Sequence, residues 1–257
     1  MERAEAEQAL FYAMSVGEQL LISGAEVSRV EDTIRRIGLA YGAERVDVFS
    51  ITSSILATLY YGTDQFVSQS RRVTSSLNDF DAIDRLNQLS RTICKTRPRG
   101  EWIRAELKRI AARKRYSPAA MLLIYATIAA GFSALFGGDF IDIIASAVIG
   151  ALLRLAETAL LPASFNRMFT QLLYGFCGGV LANFAVMIGA GHHADLIALG
   201  DIMLFIPGLA FTNSLRDLFS GDTVTGLIRL CESLLLAILL AFGFALANLL
   251  FGREARA

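Results

Sequence analysis

The residue types that usually carry enzyme chemistry are scarce in this sequence. Three cysteines, two adjacent histidines, four prolines and one tryptophan occur among 257 residues. Cys94, Cys177 and Cys231 lie far apart with no CxxC pair. That spacing excludes a disulfide framework or a thiolate zinc site and leaves small apolar packing residues. His192 and His193 share a short loop with Asp195 as the nearby acid, so they read as a solvated pair and no metal is expected. GxSxG, HExxH, P-loop and GxGxxG patterns are all absent, so an enzyme reading has neither a nucleophile nor a grip on a cofactor, and none is expected. Residues 1–8 are charged and have no apolar run, so no signal peptide is expected and the first segment should stay in the cytoplasm.

Charge is also scarce, but only in one half. Residues 1–117 hold 18 of the 24 Lys/Arg and 15 of the 24 Asp/Glu, and residues 118–257 hold the remaining 6 and 9. Mean hydropathy is +0.49. A water-solvated domain followed by a lipid-solvated one gives this asymmetry, because unpaired charge in hydrocarbon is costly. A single soluble domain with a large core is the competing reading. Recurring apolar runs near 20 residues exceed ordinary core helices and argue against it.

The polar half reads as α+β. Helical periodicity covers 5–22 and 28–41, the second with Ser28 and Glu31 spaced as a capping box. Strand-like segments follow at 45–50, 54–60 and 66–73, the last two joined by Gly62-Thr63-Asp64, and helices follow at 79–95 and 100–115. The apolar half offers five candidate spans at 118–137, 140–161, 168–190, 195–213 and 223–250. At about 1.5 Å per residue, some 20 residues cross about 30 Å of hydrocarbon. The expected architecture is therefore a cytoplasmic α+β domain (1–115) followed by an all-α membrane domain of five transmembrane helices (116–257).

Nine basic residues crowd 95–115, directly before the first span, which should hold that end inside. A nucleic-acid patch is the other reading of such a cluster, but its place beside a span favours topology. The 137–142 and 190–195 loops carry no Lys or Arg, whereas the 162–167 and 216–222 loops carry Arg167 and Arg216. Arg253 and Arg256 run against the pattern at the tail. The expectation is a multi-pass protein of the bacterial inner membrane with its N-terminal domain in the cytoplasm.

Pro207 lacks an N–H and should open the fourth span, and Gly208 beside it admits close backbone approach. Carbonyls freed at membrane depth must face protein or water, and broken helices of this kind hold solutes in transporters. Thr212, Asn213, Arg216 and Asp217 follow within about two turns and suit a small polar solute. A simple kink followed by an interfacial turn is the plainer alternative. Arg154 with Glu157, and Arg229 with Glu232, have the i,i+3 spacing of ion pairs. Asp201 has no evident partner and stands as a candidate for proton or cation coupling. The GxxxG spacing of Gly175 and Gly179 reads as a helix-packing face.

Gly24-Ala-Glu26-Val-Ser-Arg29-Val-Glu31, Gly42 and the 46–48 strand resemble the soluble domain of the threonine/serine exporter (ThrE) family. Ile206-Pro-Gly208, Asn213, Asp217-Leu-Phe-Ser-Gly221 and Thr225-Gly226 resemble its membrane signature. The likeness covers essentially the whole chain and is closest to the YjjP-type component. It implies secondary export of threonine and serine, or of succinate for the YjjP type acting with a small YjjB-like membrane subunit. Full-length members carry a second membrane module, which these 257 residues do not contain, so the resemblance implies a separate partner. The expected partners are thus a small-molecule substrate, the lipid bilayer, a YjjB-like subunit and further copies of the chain, with no nucleic acid. A membrane-anchored sensor or regulator whose cytoplasmic domain is the effector is the alternative. Five spans with a broken fourth helix exceed what an anchor needs.

Overall fold

A computed structural model of the chain describes residues 1–74, 77–113, 116–160 and 166–252. Lys114, Arg115, most of the 162–167 loop and the tail arginines Arg253 and Arg256 lie outside the described residues. The chain divides into two units: Met1–Lys114 with Thr212–Leu230, and Arg115–Phe211 with Cys231–Ala257.

The first unit is built around helix α1 (Arg3–Ile22), whose small residues Ala6, Ala9 and Ala13 and larger Met14, Val16 and Leu20 are all buried. Helix α2 (Val27–Ala40) is amphipathic, burying Val27, Val30, Ile34 and Ile37 at helical spacing. The turn between the two needs glycine. Gly24 has φ +87°, and a Cβ there would lie 2.5 Å from the Leu77 carbonyl oxygen. Strands β1 (Arg45–Ile51), β2 (Ser54–Gly62) and β3 (Gln65–Arg72) form an antiparallel sheet in that order. Alternate β2 residues Ile55, Ala57 and Leu59 point into the core, while the opposed pair Phe49 and Leu56 stays exposed on the other face. Helices α3 (Phe80–Thr96) and α4 (Gly100–Ala111) add Leu86, Ile93 and Ile103 to the same core. Ser28 does not cap α2. Glu26 holds the cap position, and the Glu31 carboxylate instead accepts the Ser50 N–H at 2.7 Å, tying α2 to β1.

The second unit is arranged for a different solvent. Its helices are α5 (Pro118–Leu135), α6 (Phe140–Leu160), α7 (Arg167–Met187) and α8 (Ala194–Ile202), with parts of α9 (Gly208–Phe219) and α10 (Thr223–Phe251). Buried positions include Ala129, Ser133, Asp142, Ser146, Asn183 and Asp201, whereas Leu123, Phe140, Val148, Phe184, Ile238 and Leu249 are exposed. Small and polar groups inside with large apolar groups outside is the distribution that lipid selects.

The expectation of an α+β domain followed by five transmembrane helices is corrected here. The chain is 71% helical, with ten helices among the described residues and one small sheet at 45–72. Three of those helices, α5, α7 and α10, are long and apolar enough to cross a membrane. The fourth expected span fails because the proline breaks it. α8 ends after 9 residues, α9 starts at Gly208 and runs for 12, and neither approaches the length a bilayer requires. The second expected span, α6, has 21 residues but carries Asp142, Arg154 and Glu157 along its length.

Candidate functional site

Two stretches far apart in sequence meet inside the first unit. Glu26 at the start of α2 accepts Arg216 Nη1 of α9 at 2.8 Å, with Arg29 at 3.9 Å on the same oxygen. Next to Arg216, Asp217 is 2% exposed and pairs with Arg229 Nη1 at 2.8 Å. Burial pushes the Asp217 carboxyl up, and the Arg229 guanidinium opposes it. Glu31 behaves similarly: burial raises its carboxyl, the Ser50 N–H lowers it, and the negative charge of Asp222 adds to the rise. Thr212 is exposed and Asn213 half-buried on the same helix. Arg216 and Asp217, neighbours in sequence, thus enter two separate pairs, Arg216 with Glu26 and Asp217 with Arg229. The expected Arg229–Glu232 pair is also replaced, since Glu232 meets Arg167 at 3.1 Å.

In the second unit the chain opens between Ile202 and Gly208, around Pro207. The freed carbonyl of Phe205 accepts the Gln171 side-chain N–H at 2.5 Å, which satisfies it inside the protein. The Phe205 ring stacks on Tyr174 at 4.0 Å and meets Tyr125 edge-on at 6.3 Å. Tyr125 donates to Glu157 at 3.0 Å, and Glu157 pairs with Arg154 at 2.6 Å as its spacing suggested. Asp201, at the end of α8, has no exposed surface and accepts a hydrogen bond from Ser146.

The histidine loop has more company than the sequence indicated. Asp142, fully buried, accepts the N–H groups of His192 at 2.7 Å and His193 at 3.0 Å and meets His193 Nδ1 at 2.7 Å. His192 Nδ1 meets Asp139. Burial works to raise the Asp142 carboxyl, but the N–H groups and imidazole around it hold it below the usual carboxylate range. The same contact raises the His193 imidazole. Asp139, Asp142 and His193 are near enough to share an ion, yet the Asp142 oxygens already fasten the loop.

Sequence reasoning missed Gln171, Tyr125, Tyr174 and Asp142. A glutamine and an aspartate in apolar helices were the available signal. The pairing of Glu26 with Arg216 left none, because nothing local links positions 190 residues apart.

A family model described as "Putative threonine/serine exporter" (ThrE) matches residues 12–251. No curated protein and no solved structure matches.

Proposed function

We propose that this chain, which belongs to the ThrE family of threonine/serine exporters, is a subunit of a secondary exporter carrying small polar carboxylate solutes out of the cytoplasm. The candidate solutes are threonine and serine, or a succinate-like dicarboxylate, and the second component is a small YjjB-like membrane subunit. Members of the family are transporters, and the apolar helices α5, α7 and α10 make this chain a membrane protein.

The observation that carries the substrate site is Arg216. Its side chain is 60% exposed, and its recorded ion pair is with one oxygen of Glu26. A planar guanidinium held this lightly exchanges an internal carboxylate for that of a solute, with which it makes two parallel hydrogen bonds. Thr212 and Asn213 add a hydroxyl and an amide on the same helix. Asp217, locked to Arg229, fixes how that helix is presented. The break at Pro207 and Gly208 lets α9 start where it does. Arg216→Lys keeps the charge but loses the fork, so export from cells should fall about tenfold, the equivalent of about 1.4 kcal/mol. Pro207→Ala restores an N–H and a continuous helix and should also reduce export. Normal export by both variants places the site elsewhere.

The 1–115 segment lies on the cytoplasmic side of the inner membrane in this reading, by the basic cluster before α5. A cysteine at position 140, just after α5 and well exposed, should then react with an impermeant thiol reagent on intact cells, and one at Ser68 should not. The opposite labelling pattern reverses the orientation.

One observation favours the sensor alternative. A cleft of about 420 Å³ between α2 and α3 gathers Arg29, Arg36, Arg91 and Lys95 with Asp32, which pairs with Arg36 at 2.8 Å, and its surplus of positive charge suits an anion. A regulator predicts no solute flux from the purified protein, so flux measurements separate the two readings.

A further inference from the structure

Asp201 closes α8 with no exposed surface. One carboxylate oxygen accepts the Ser146 hydroxyl of α6 at 3.3 Å, and the other has no hydrogen-bond partner. The hydroxyl of Ser133 on α5, also fully buried, has none either. Both serines border Gly200, the residue before Asp201. A Cβ at Gly200 would lie 2.6 Å from Ser146 Oγ, 2.6 Å from the Ala129 carbonyl oxygen and 3.0 Å from Ser133 Cβ. At Gly200, therefore, α8 meets α5 and α6 too closely for any side chain, and beside that contact lies a half-satisfied carboxyl group.

No cation faces it. α5 brings Tyr125, which is bonded to Glu157. α6 brings Asp142, fastened to the histidine loop, and Arg154 and Glu157, paired with each other. α7 brings Arg167, paired with Glu232, together with Tyr174 and Cys177. Asp195 lies on α8 itself. Among the described residues none of these forms an ion pair or hydrogen bond with Asp201. An isolated carboxylate in such a place costs many kcal/mol, and the group takes up a proton instead.

We propose that Asp201 is a proton-binding site of the exporter: the acid is neutral while α8 is packed on α5 and α6, and it gives its O–H proton to water when that contact opens. This rests on the transport reading and adds to it the residue that carries the proton. The placement suits a gate. Asp142 fastens the loop that leads into α8, and Ser146, one turn further along α6, holds the residue at its end. Each proton taken up at one side of the membrane and released at the other accompanies one opening of the contact, and no covalent step is needed.

Two readouts test the site. In proteoliposomes of the full chain, the infrared carboxylic-acid C=O band should disappear as pH is raised, and the part due to Asp201 should be missing from Asp201→Asn. Ser146→Ala, which leaves the carboxyl in place, should shift the pH at which that band titrates. In vesicles loaded with threonine, and in parallel with succinate, with the small membrane partner present, a proton gradient should speed efflux. Asp201→Asn should lose that acceleration at least tenfold while retaining exchange of labelled for unlabelled solute. The proposal is overturned if the variant keeps both the band and the gradient response. It is also overturned if a sodium gradient, and not a proton gradient, drives efflux through Asp201. Absence of flux under every gradient would instead refute the transport reading, and the infrared titration would still decide the proton site.

Discussion

Asp217→Ala should destabilise the protein by about 3–5 kcal/mol, the usual cost of stranding one partner of a buried ion pair. Asp217 is 2% exposed, and the side chain of Arg229 opposite it is 14% exposed. Removing the carboxylate leaves a guanidinium that can neither lose its proton nor reach water easily. The fully apolar alternative is less costly, because breaking both partners removes the stranded charge. Asp217→Ala combined with Arg229→Leu should therefore recover much of the loss, and the double-mutant cycle should show coupling well above the 0.5 kcal/mol of independent sites. Thermal unfolding in detergent provides the measurement. A single-variant cost below about 1 kcal/mol would mean that this pair is solvated.

The second large effect is expected where α7 and α10 touch backbone to backbone. A Cβ on Gly243 would lie 2.2 Å from the Leu172 carbonyl oxygen and 2.8 Å from Phe176 N, and one on Gly175 would lie 2.0 Å from the Leu240 carbonyl oxygen. Side-chain tips can swing aside, but helix backbones cannot. Gly243→Leu should thus force the two helices apart, at a cost of about 3 kcal/mol or more. Asn183 on α7 donates to Asn248 on α10 at 2.7 Å, which gives a reporter along the same contact. Cysteines at 183 and 248 should cross-link readily in the parent and poorly when Gly243→Leu is added. Equal cross-linking would show that this contact tolerates bulk.

Gly175 and Gly179 were legible in the sequence as a packing face because small residues at that spacing have one main use in an apolar helix. The strands were legible from β-branched residues and from the Gly62-Thr63-Asp64 turn, where Asp64 adopts φ +59°. The break near Pro207 was legible too, since proline removes a donor wherever it stands. Its consequence for span counting lies in the lengths it leaves: one broken span becomes two helices of 9 and 12 residues, too short to cross. Ser28 looked like a cap by spacing, but capping competes with tertiary bonding, and Glu31 found the Ser50 N–H instead. The ion pairs depended most on the fold. Arg154 and Glu157 pair as neighbours on one helix turn. Arg229 prefers Asp217 across a turn between helices, and Glu232 goes to Arg167, because partner choice at i,i+3 is worth only a few tenths of a kcal/mol.

Solute efflux from proteoliposomes tests the export reading most directly. The full chain, with and without the proposed small membrane subunit, is reconstituted into vesicles loaded with labelled threonine or succinate. Efflux above that of protein-free vesicles is expected when the partner is present, and Arg216→Lys should slow it about tenfold. Vesicles that retain both solutes at the protein-free rate, with both components shown to be inserted, would contradict export as the function of this chain.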